Sequence, residues 1–265
     1  MYTKFQLAKK YLHYLLTAEN SKGHGVHSPF VFDFIKNVLR DKKKYSIYKP
    51  IEKLREKLKT DKRVIEVKDF GAGSTVMKSN TRKVKDIAES SLKPKKYAQL
   101  LFRIVNYYQP KYVIELGTSL GITTAYLASA NPQATIYTCE GDISIAGIAS
   151  NTFKELSLKN IELVQGDFAA TLPGLFSTLP ATDFAFIDGN HKKEPTIQYF
   201  KQLLEHAAPA AILIFDDIHW SREMEEAWEY IQQHNAVTLS IDLFFIGLVF
   251  LSPDFKVKQH FTIRF

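Results

Sequence analysis

The chain has 265 residues, of which 45% are hydrophobic and 24% are charged, and it carries a net charge of +7. This is the composition of an ordinary globular protein, and no apolar run approaches the roughly 20 residues that a membrane-spanning helix needs. The single cysteine, Cys139, excludes an internal disulfide and a cysteine-cluster zinc site. Because Lys9 and Lys10 interrupt the stretch where a signal peptide would be apolar, we expect a cytoplasmic protein without a membrane partner.

The charge is distributed unevenly along the chain. Residues 1–100 hold 24 Lys and Arg against 10 Asp and Glu, whereas residues 101–265 hold 11 against 18. A basic N-terminal part could attract nucleic acid, an anionic membrane surface or an acidic substrate. The plainer interpretation is a solvated, lysine-rich surface.

Residues 1–95 are predicted to form a basic, mainly helical extension or cap. Three stretches have helical apolar spacing: "FQLAKKYLHYLL", "SPFVFDFIKNVL" and "KPIEKLREKLKT". The polar stretch 61–93, which contains "DFGAGS" at 69–74, is predicted to be a long loop. This loop and "KGHGVHSPFVF" at 22–32 are either ordinary connectors with turn glycines or parts of a lid that selects the substrate.

Residues 96–265 alternate between short apolar runs and helical stretches, which predicts an α/β domain. Five nearly continuous apolar runs indicate parallel strands covered on both faces: "YVIEL", "TIYTC", "IELVQ", "FAFID" and "AILIFD". "AVTLSIDL" and "IGLVFLS" follow each other closely, as antiparallel strands do. The predicted sheet therefore has seven strands, mainly parallel, and ends in an antiparallel pair. The apolar tail "VKQHFTIRF" either extends this sheet or forms an interface in a homo-oligomer.

Two glycine-rich stretches compete as the cofactor loop, "DFGAGS" and "ELGTSLG" at 115–121. Such a loop needs an apolar strand before it and a helix after it, so that backbone N–H groups can hold polar ligand atoms. Only the second stretch has both. An acid that binds ribose hydroxyls is expected about 20 residues later at the end of the next strand, and Glu140 has that position. Asp142, two residues outside the strand, is a weaker competitor.

At this point the sequence resembles the class I S-adenosylmethionine-dependent methyltransferases. The resemblance lies in an acid, an apolar residue and a glycine, with a second glycine four positions on, and it covers about residues 90–252. It is closest to the small-molecule O-methyltransferases of the catechol and caffeoyl-coenzyme A type, and to relatives with a FIDG-x-H motif, here "FIDGNH". The resemblance implies a Rossmann-like fold and S-adenosylmethionine as the cofactor.

The resemblance also implies the roles of individual residues in holding the cofactor. The loop of Gly117, Thr118, Ser119 and Gly121 would pass beside its methionine part, with Glu115 near the amino group, bound directly or through water. Glu140 would accept both ribose hydroxyls. Asp167, in "VQGDF", would accept a hydrogen bond from the adenine amino group.

Candidate reactive groups follow the fourth and fifth predicted strands. Metal-dependent members of the family hold a divalent ion with an Asp after the fourth strand and an Asp-Asn pair after the fifth, so Asp188, Asp216 and Asp217 would bind Mg²⁺, Ca²⁺ or Mn²⁺. Asp217 departs from the family's Asn. Without a metal, His191 or His219 would be the general base beside Asp188. Trp228 is expected to lie in the core.

The first hypothesis for function is therefore an O-methyltransferase that acts on a small molecule. The alternative is an RNA-binding protein or RNA methyltransferase that grips nucleic acid through the basic N-terminal region. A cofactor-binding module that no longer catalyses is a third hypothesis, against which the presence of Asp188 argues.

Overall fold

The computed structural model describes residues 1–19, 27–67 and 81–265. "DFGAGS" and most of "KGHGVH" lie outside the described residues, so the predicted lid function of these stretches stays a prediction. The chain divides into two compact units. The central unit is Lys42–Leu179, and the terminal unit combines Met1–Asp41 with Pro180–Phe265. The boundary predicted after residue 95 falls inside the central unit, within a helix.

The helices and strands have the following bounds. The helices are α1 Lys4–Thr17, α2 Pro29–Phe34, α3 Tyr48–Thr60, α4 Val84–Ser91, α5 Lys95–Tyr108, α6 Ile122–Ala130, α7 Ile143–Glu155, α8 Phe168–Thr178, α9 Lys193–Glu205 and α10 Arg222–Gln233, and a π-helical turn at Ile35–Leu39 follows α2. The strands are β1 Val64–Glu66, β2 Thr81–Lys83, β3 Tyr112–Leu116, β4 Thr135–Glu140, β5 Ile161–Gln165, β6 Thr182–Ile187, β7 Ala207–Asp216, β8 Leu239–Asp242, β9 Ile246–Phe250 and β10 Gln259–Thr262. Among the described residues, no helix combines the length and the apolar character needed to cross a bilayer.

The central unit contains three parallel strands, with β4 between β3 and β5. The bounds of β3 and β5 coincide with the predicted runs "YVIEL" and "IELVQ". Every residue of β3 after Tyr112 is buried, as its continuous apolar sequence predicts. The parallel arrangement brings the carboxyl ends of β3 and β4 side by side, which places the glycine loop next to Glu140.

The predicted long loop at 61–93 is wrong for its described residues. β1 and β2 pair as antiparallel strands, and α4 begins directly after β2. Ile87 and Ala88 of α4 are buried, and the helix packs against α3. Polar residues on the other faces of these short elements hid them, because a three-residue strand is too short to show a period.

The terminal unit contains the predicted antiparallel end of the sheet. β6 and β7 are parallel, whereas β9 is antiparallel to both β7 and β8. β10, in the apolar tail, pairs in parallel with β8 and so extends the sheet. The described strands β3 to β10 number eight, one more than predicted. The α/β architecture, mainly parallel and with an antiparallel pair near one end, is confirmed.

The N-terminal helix α1 is an integral part of the terminal unit. Its Tyr14 is buried with Ala18 and Phe244, and its hydroxyl donates a hydrogen bond to the Ile263 carbonyl at 2.5 Å. The backbone N–H of Phe265 donates to the same hydroxyl at 2.9 Å. The first helix is therefore packed against the C-terminal strands.

Candidate active site

The glycine loop after β3 has a conformation that requires its glycines. Gly117, Ser119 and Gly121 all have positive φ angles, of 107°, 48° and 81°. A Cβ on Gly121 would lie 2.6 Å from the Phe153 ring and 3.2 Å from the Cα of Ala149. Gly121 therefore permits both the left-handed turn before α6 and the close approach of α7. The predicted context of a strand, a glycine loop and a helix is what the structure shows.

Glu115 supports this loop from inside the protein. Its side chain has no exposed surface and accepts hydrogen bonds from the hydroxyls of Thr124 at 2.5 Å and Thr138 at 2.6 Å. Because Thr138 uses its only proton in this way, the 2.6 Å contact between Thr118 and Thr138 has Thr118 as its donor. Complete burial favours an indirect role in fixing the loop, so the predicted direct contact between Glu115 and a ligand's amino group is not supported by this geometry.

Glu140 lies at the end of β4, where it faces the glycine loop. One carboxylate oxygen accepts the Ser119 N–H at 2.8 Å, and the other accepts the Asp142 N–H at 3.1 Å. Burial raises the pKa of Glu140, and the backbone N–H groups of Asp142, Ser119 and Gly141 offset only part of that effect. A carboxylate has about four acceptor positions, so room remains for a further donor such as a ligand hydroxyl.

Two other acids near this site cap helices. Asp142 is 5% exposed and accepts the Ile145 N–H at 2.8 Å, which caps α7. Its burial removes it as a competitor of Glu140. Asp167 is exposed and caps α8 by accepting the Ala169 N–H at 3.0 Å through one oxygen. Because the cap uses only this oxygen, the predicted role of Asp167 as an acceptor for the adenine amino group is compatible with the cap.

A second group of candidate residues lies in the terminal unit, after β6 and β7. Asp188 directly follows β6, and Asp216 is the last residue of β7. These two residues and His191 each offer one ligand atom, and the three atoms lie within 4.8 Å of one another. Nε2 of His191 is 3.6 Å from a carboxylate oxygen of Asp188. Asp216 is only 2% exposed, so this group combines one buried acid with two partly exposed side chains.

Asp217 is not a member of this group. Its backbone has a left-handed φ of 53°, and its N–H donates to the Phe245 carbonyl at 2.7 Å. The predicted ligand set of Asp188, Asp216 and Asp217 is therefore changed at one position in the described part of the chain, where His191 lies in place of Asp217. The reason is the left-handed backbone at Asp217, directly after β7, because it gives this side chain a different direction from that of Asp216 at the end of the strand.

The contacts of His219 do not favour its predicted role as a general base. Its Nδ1 lies 3.0 Å from a Glu225 oxygen and its Nε2 lies 2.8 Å from an Asp242 oxygen, while its ring stacks on Phe244. Burial alone would lower the pKa of His219, but the two carboxylates outweigh burial, so the net shift is upward. A histidine whose two nitrogens both face carboxylates is held as an imidazolium and has no free position to accept a proton.

The carboxylates around His219 also bind other parts of the terminal unit. Glu225 accepts hydrogen bonds from Tyr2 at 2.6 Å and from Lys10 at 3.0 Å, and Asp242 accepts one from the buried Trp228 at 3.2 Å. The prediction that Trp228 lies in the core is confirmed, since it is 3% exposed. The sequence analysis missed Glu225 and Asp242. An acid that ends the buried strand "LSID" was the one available signal, because a buried carboxylate needs a partner.

Comparisons with known proteins agree with this geometry. Residues 114–218 match the family model of a methyltransferase domain. A catechol O-methyltransferase of Niastella koreensis is 29% identical over 126 residues, which are 46% of this chain and 55% of that protein. The chain spans about half the length of the curated relatives it matches.

Solved structures match over more of the chain. An O-methyltransferase of Bacillus cereus in complex with SAH has a TM-score of 0.56 at 18% identity and covers 83% of this chain and 97% of its own. An SAH-bound methyltransferase of Podospora anserina has a TM-score of 0.58 at 10% identity and covers 94% of this chain and 96% of its own. The fold is thus the Rossmann-like fold of the class I methyltransferases. Within it, residues 114–218 are similar to methyltransferase domains, and the resemblance to O-methyltransferases seen in the sequence is confirmed.

Proposed function

We propose that this protein is an S-adenosylmethionine-dependent methyltransferase that transfers the methyl group to an oxygen of a small molecule. The observation that carries the proposal is the contact of the Ser119 N–H with the Glu140 carboxylate at 2.8 Å. It joins the glycine loop after β3 to the acid that ends β4, and both lie inside the segment that matches a methyltransferase domain. The names of the similar proteins, among them a catechol O-methyltransferase, support oxygen as the acceptor atom.

The central unit would hold the cofactor. Glu140 would accept hydrogen bonds from the ribose hydroxyls, and Asp167 would accept one from the adenine amino group. The Gly117–Gly121 loop would lie beside the methionine part, and the buried Glu115 would hold the loop in its conformation. When bound, S-adenosylmethionine supplies a methyl group already activated by its sulfonium. The protein's remaining tasks are to orient the acceptor oxygen and to take up its proton.

The group in the terminal unit has the chemistry for these tasks. His191 is the candidate general base, because imidazole is the side chain most often used for proton transfer and Asp188 is close enough to orient its ring. His191 would take up the proton that the acceptor hydroxyl loses on methylation. A catechol-type hydroxyl suits this chemistry, since a phenol loses its proton more readily than an alkyl hydroxyl.

The same three side chains also fit a divalent cation. Asp188 and Asp216 supply oxygen donors and His191 supplies a nitrogen donor, within one ion's reach of one another. The imidazole shifts the preference from Mg²⁺ and Ca²⁺ toward a transition ion such as Mn²⁺. A bound ion would lower the pKa of the acceptor hydroxyl. His191 would then be a ligand and would not be the base, so the two forms of the proposal exclude each other.

Two measurements test these proposals. Purified protein incubated with methyl-labelled S-adenosylmethionine and catechol should give labelled product, and a broad panel of phenols without any transfer would overturn the O-methyltransferase proposal. Calorimetric titration with Mn²⁺ then separates the two forms. If a metal is bound, Asp216→Asn should abolish binding while the adjacent Asp217→Asn leaves it intact. Transfer that persists in chelator, with no Mn²⁺ bound, would assign His191 as the base.

A further inference from the structure

Helix α4 reaches the cofactor loop through one side chain. The hydroxyl of Ser91, the last residue of α4, lies 2.8 Å from the hydroxyl of Ser119. Ser91 also lies 2.7 Å from the Ile87 carbonyl, to which it donates. Because a hydroxyl has a single proton, Ser91 must accept in its contact with Ser119. The Ser119 hydroxyl is thus the donor, and its orientation is fixed by Ser91.

Ser119 needs external support for its conformation. A non-glycine residue with a φ of 48° adopts the left-handed region at a cost of roughly 1 kcal/mol or more, and persists there only when its surroundings hold it. Two contacts do so: the Glu140 carboxylate holds its N–H, and Ser91 holds its hydroxyl. Loss of the second contact would loosen the first, because both bind the same residue.

The supporting helix is itself firmly placed. Val84, Ile87 and Ala88 of α4 are at most 4% exposed, and α4 packs on α3. Ser91 is therefore presented to the loop from a rigid element. The part of the chain before residue 96, whose sequence contains no cofactor-binding motif, therefore contacts the glycine loop through α4.

From these contacts we propose that Ser91 is a positioning residue for the cofactor: through Ser119 it sets the conformation of the glycine loop and the orientation of Glu140. This inference rests on the proposed function, since it assumes that Glu140 and the loop bind S-adenosylmethionine. It assigns α4 to the cofactor-binding apparatus.

The neighbouring Ser90 provides a matched control. It lies on the same helix and donates to the Asp86 carbonyl at 2.9 Å, in the same manner as Ser91 does to Ile87. Among the described residues, the Ser90 hydroxyl bonds to the Asp86 and Ile87 carbonyls of its own helix. Ser90→Ala and Ser91→Ala therefore remove equivalent hydroxyls and differ in the contact with Ser119.

Calorimetric titration with S-adenosylhomocysteine, together with steady-state kinetics, tests the inference. Ser91→Ala should raise Kd, and the KM for S-adenosylmethionine, about threefold to tenfold with kcat unchanged, as expected for one lost hydrogen bond. Ser91→Thr, which keeps the hydroxyl, should restore wild-type affinity, and Ser90→Ala should match wild type. Equal Kd values for Ser90→Ala and Ser91→Ala would overturn the inference. Failure of the wild-type protein to bind would instead overturn the proposed function.

Discussion

The central and terminal units use their strand-end carboxylates in different ways. In the central unit, Glu140 accepts hydrogen bonds from the backbone N–H groups of Ser119 and Asp142, which lie within three residues of the ends of β3 and β4. In the terminal unit, His219 is held by Asp242, and Glu225 is bound by Tyr2 and Lys10, more than 200 residues away in sequence. The contacts of Glu140 are set by local strand and loop geometry, whereas those of Glu225 depend on long-range packing.

This difference separates Glu140, the proposed cofactor ligand, from residues that hold the fold. The group of Asp188, His191 and Asp216 is the exception in the terminal unit, because it gathers at the ends of two neighbouring parallel strands. Asp242 also ends a strand, so the candidate acids are distinguished from it by lying together at neighbouring strand ends and not by strand-end position alone. Four experiments test this comparison.

The largest effect is expected at Asp188. Asp188→Asn keeps the shape of the side chain but removes its charge, so it weakens either the orientation of His191 or the binding of a metal ion, according to which form of the proposal holds. We expect kcat for methyl transfer to fall by at least about 100-fold, while calorimetry shows unchanged affinity for S-adenosylhomocysteine. A variant with more than half of the wild-type kcat would remove Asp188 from the reaction.

The next effect concerns Glu140. Glu140→Gln keeps one acceptor but loses the charge, and hydrogen bonds to charged groups contribute about 1.5–3 kcal/mol. We therefore expect Kd for S-adenosylhomocysteine to rise about 10-fold to 100-fold. Glu162→Gln, at an exposed position of the next strand, is the control and should bind like wild type. Equal affinities of the two variants would place the ribose elsewhere.

Gly121 tests whether the loop needs its close contact with α7. Gly121→Ala puts a Cβ 2.6 Å from the Phe153 ring in a left-handed backbone, and should lower the free energy of unfolding by about 1–3 kcal/mol. Gly147→Ala, on α7 with nothing within 4 Å of the added carbon, should raise it by about 0.5–1 kcal/mol. Urea unfolding measures both. The same sign for both substitutions would contradict the packing described for the loop.

The smallest effect is the pH dependence of the His219 contacts. Because the pKa of His219 is raised in the folded protein, its stabilisation is fully present below the pKa of the unfolded chain and is lost as pH rises through the folded pKa. His219→Gln should thus lower the free energy of unfolding by on the order of 2 kcal/mol near pH 6, and the difference from wild type should shrink toward higher pH. His13→Gln, on the exposed side of α1, is the control. A difference that grows with pH would show that His219 is neutral in the fold.

The sequence was sufficient for those features that local patterns encode. Continuous apolar runs identified β3 and β5, and the distance from Gly121 to Glu140 placed both at one sheet edge. It was not sufficient for β1 and β2, whose three residues are too few to show a period. Nor could it distinguish His191 from His219, because the carboxylates that hold His219 are brought there by tertiary packing.

The most direct test of the central claim, that the loop at Gly117–Gly121 and Glu140 form a cofactor site, is calorimetric titration of the wild-type protein with S-adenosylhomocysteine. We predict saturable binding of one molecule per chain. No heat of binding at high micromolar concentration, with the protein shown to be folded by circular dichroism, would contradict the claim and the methyltransferase proposal with it.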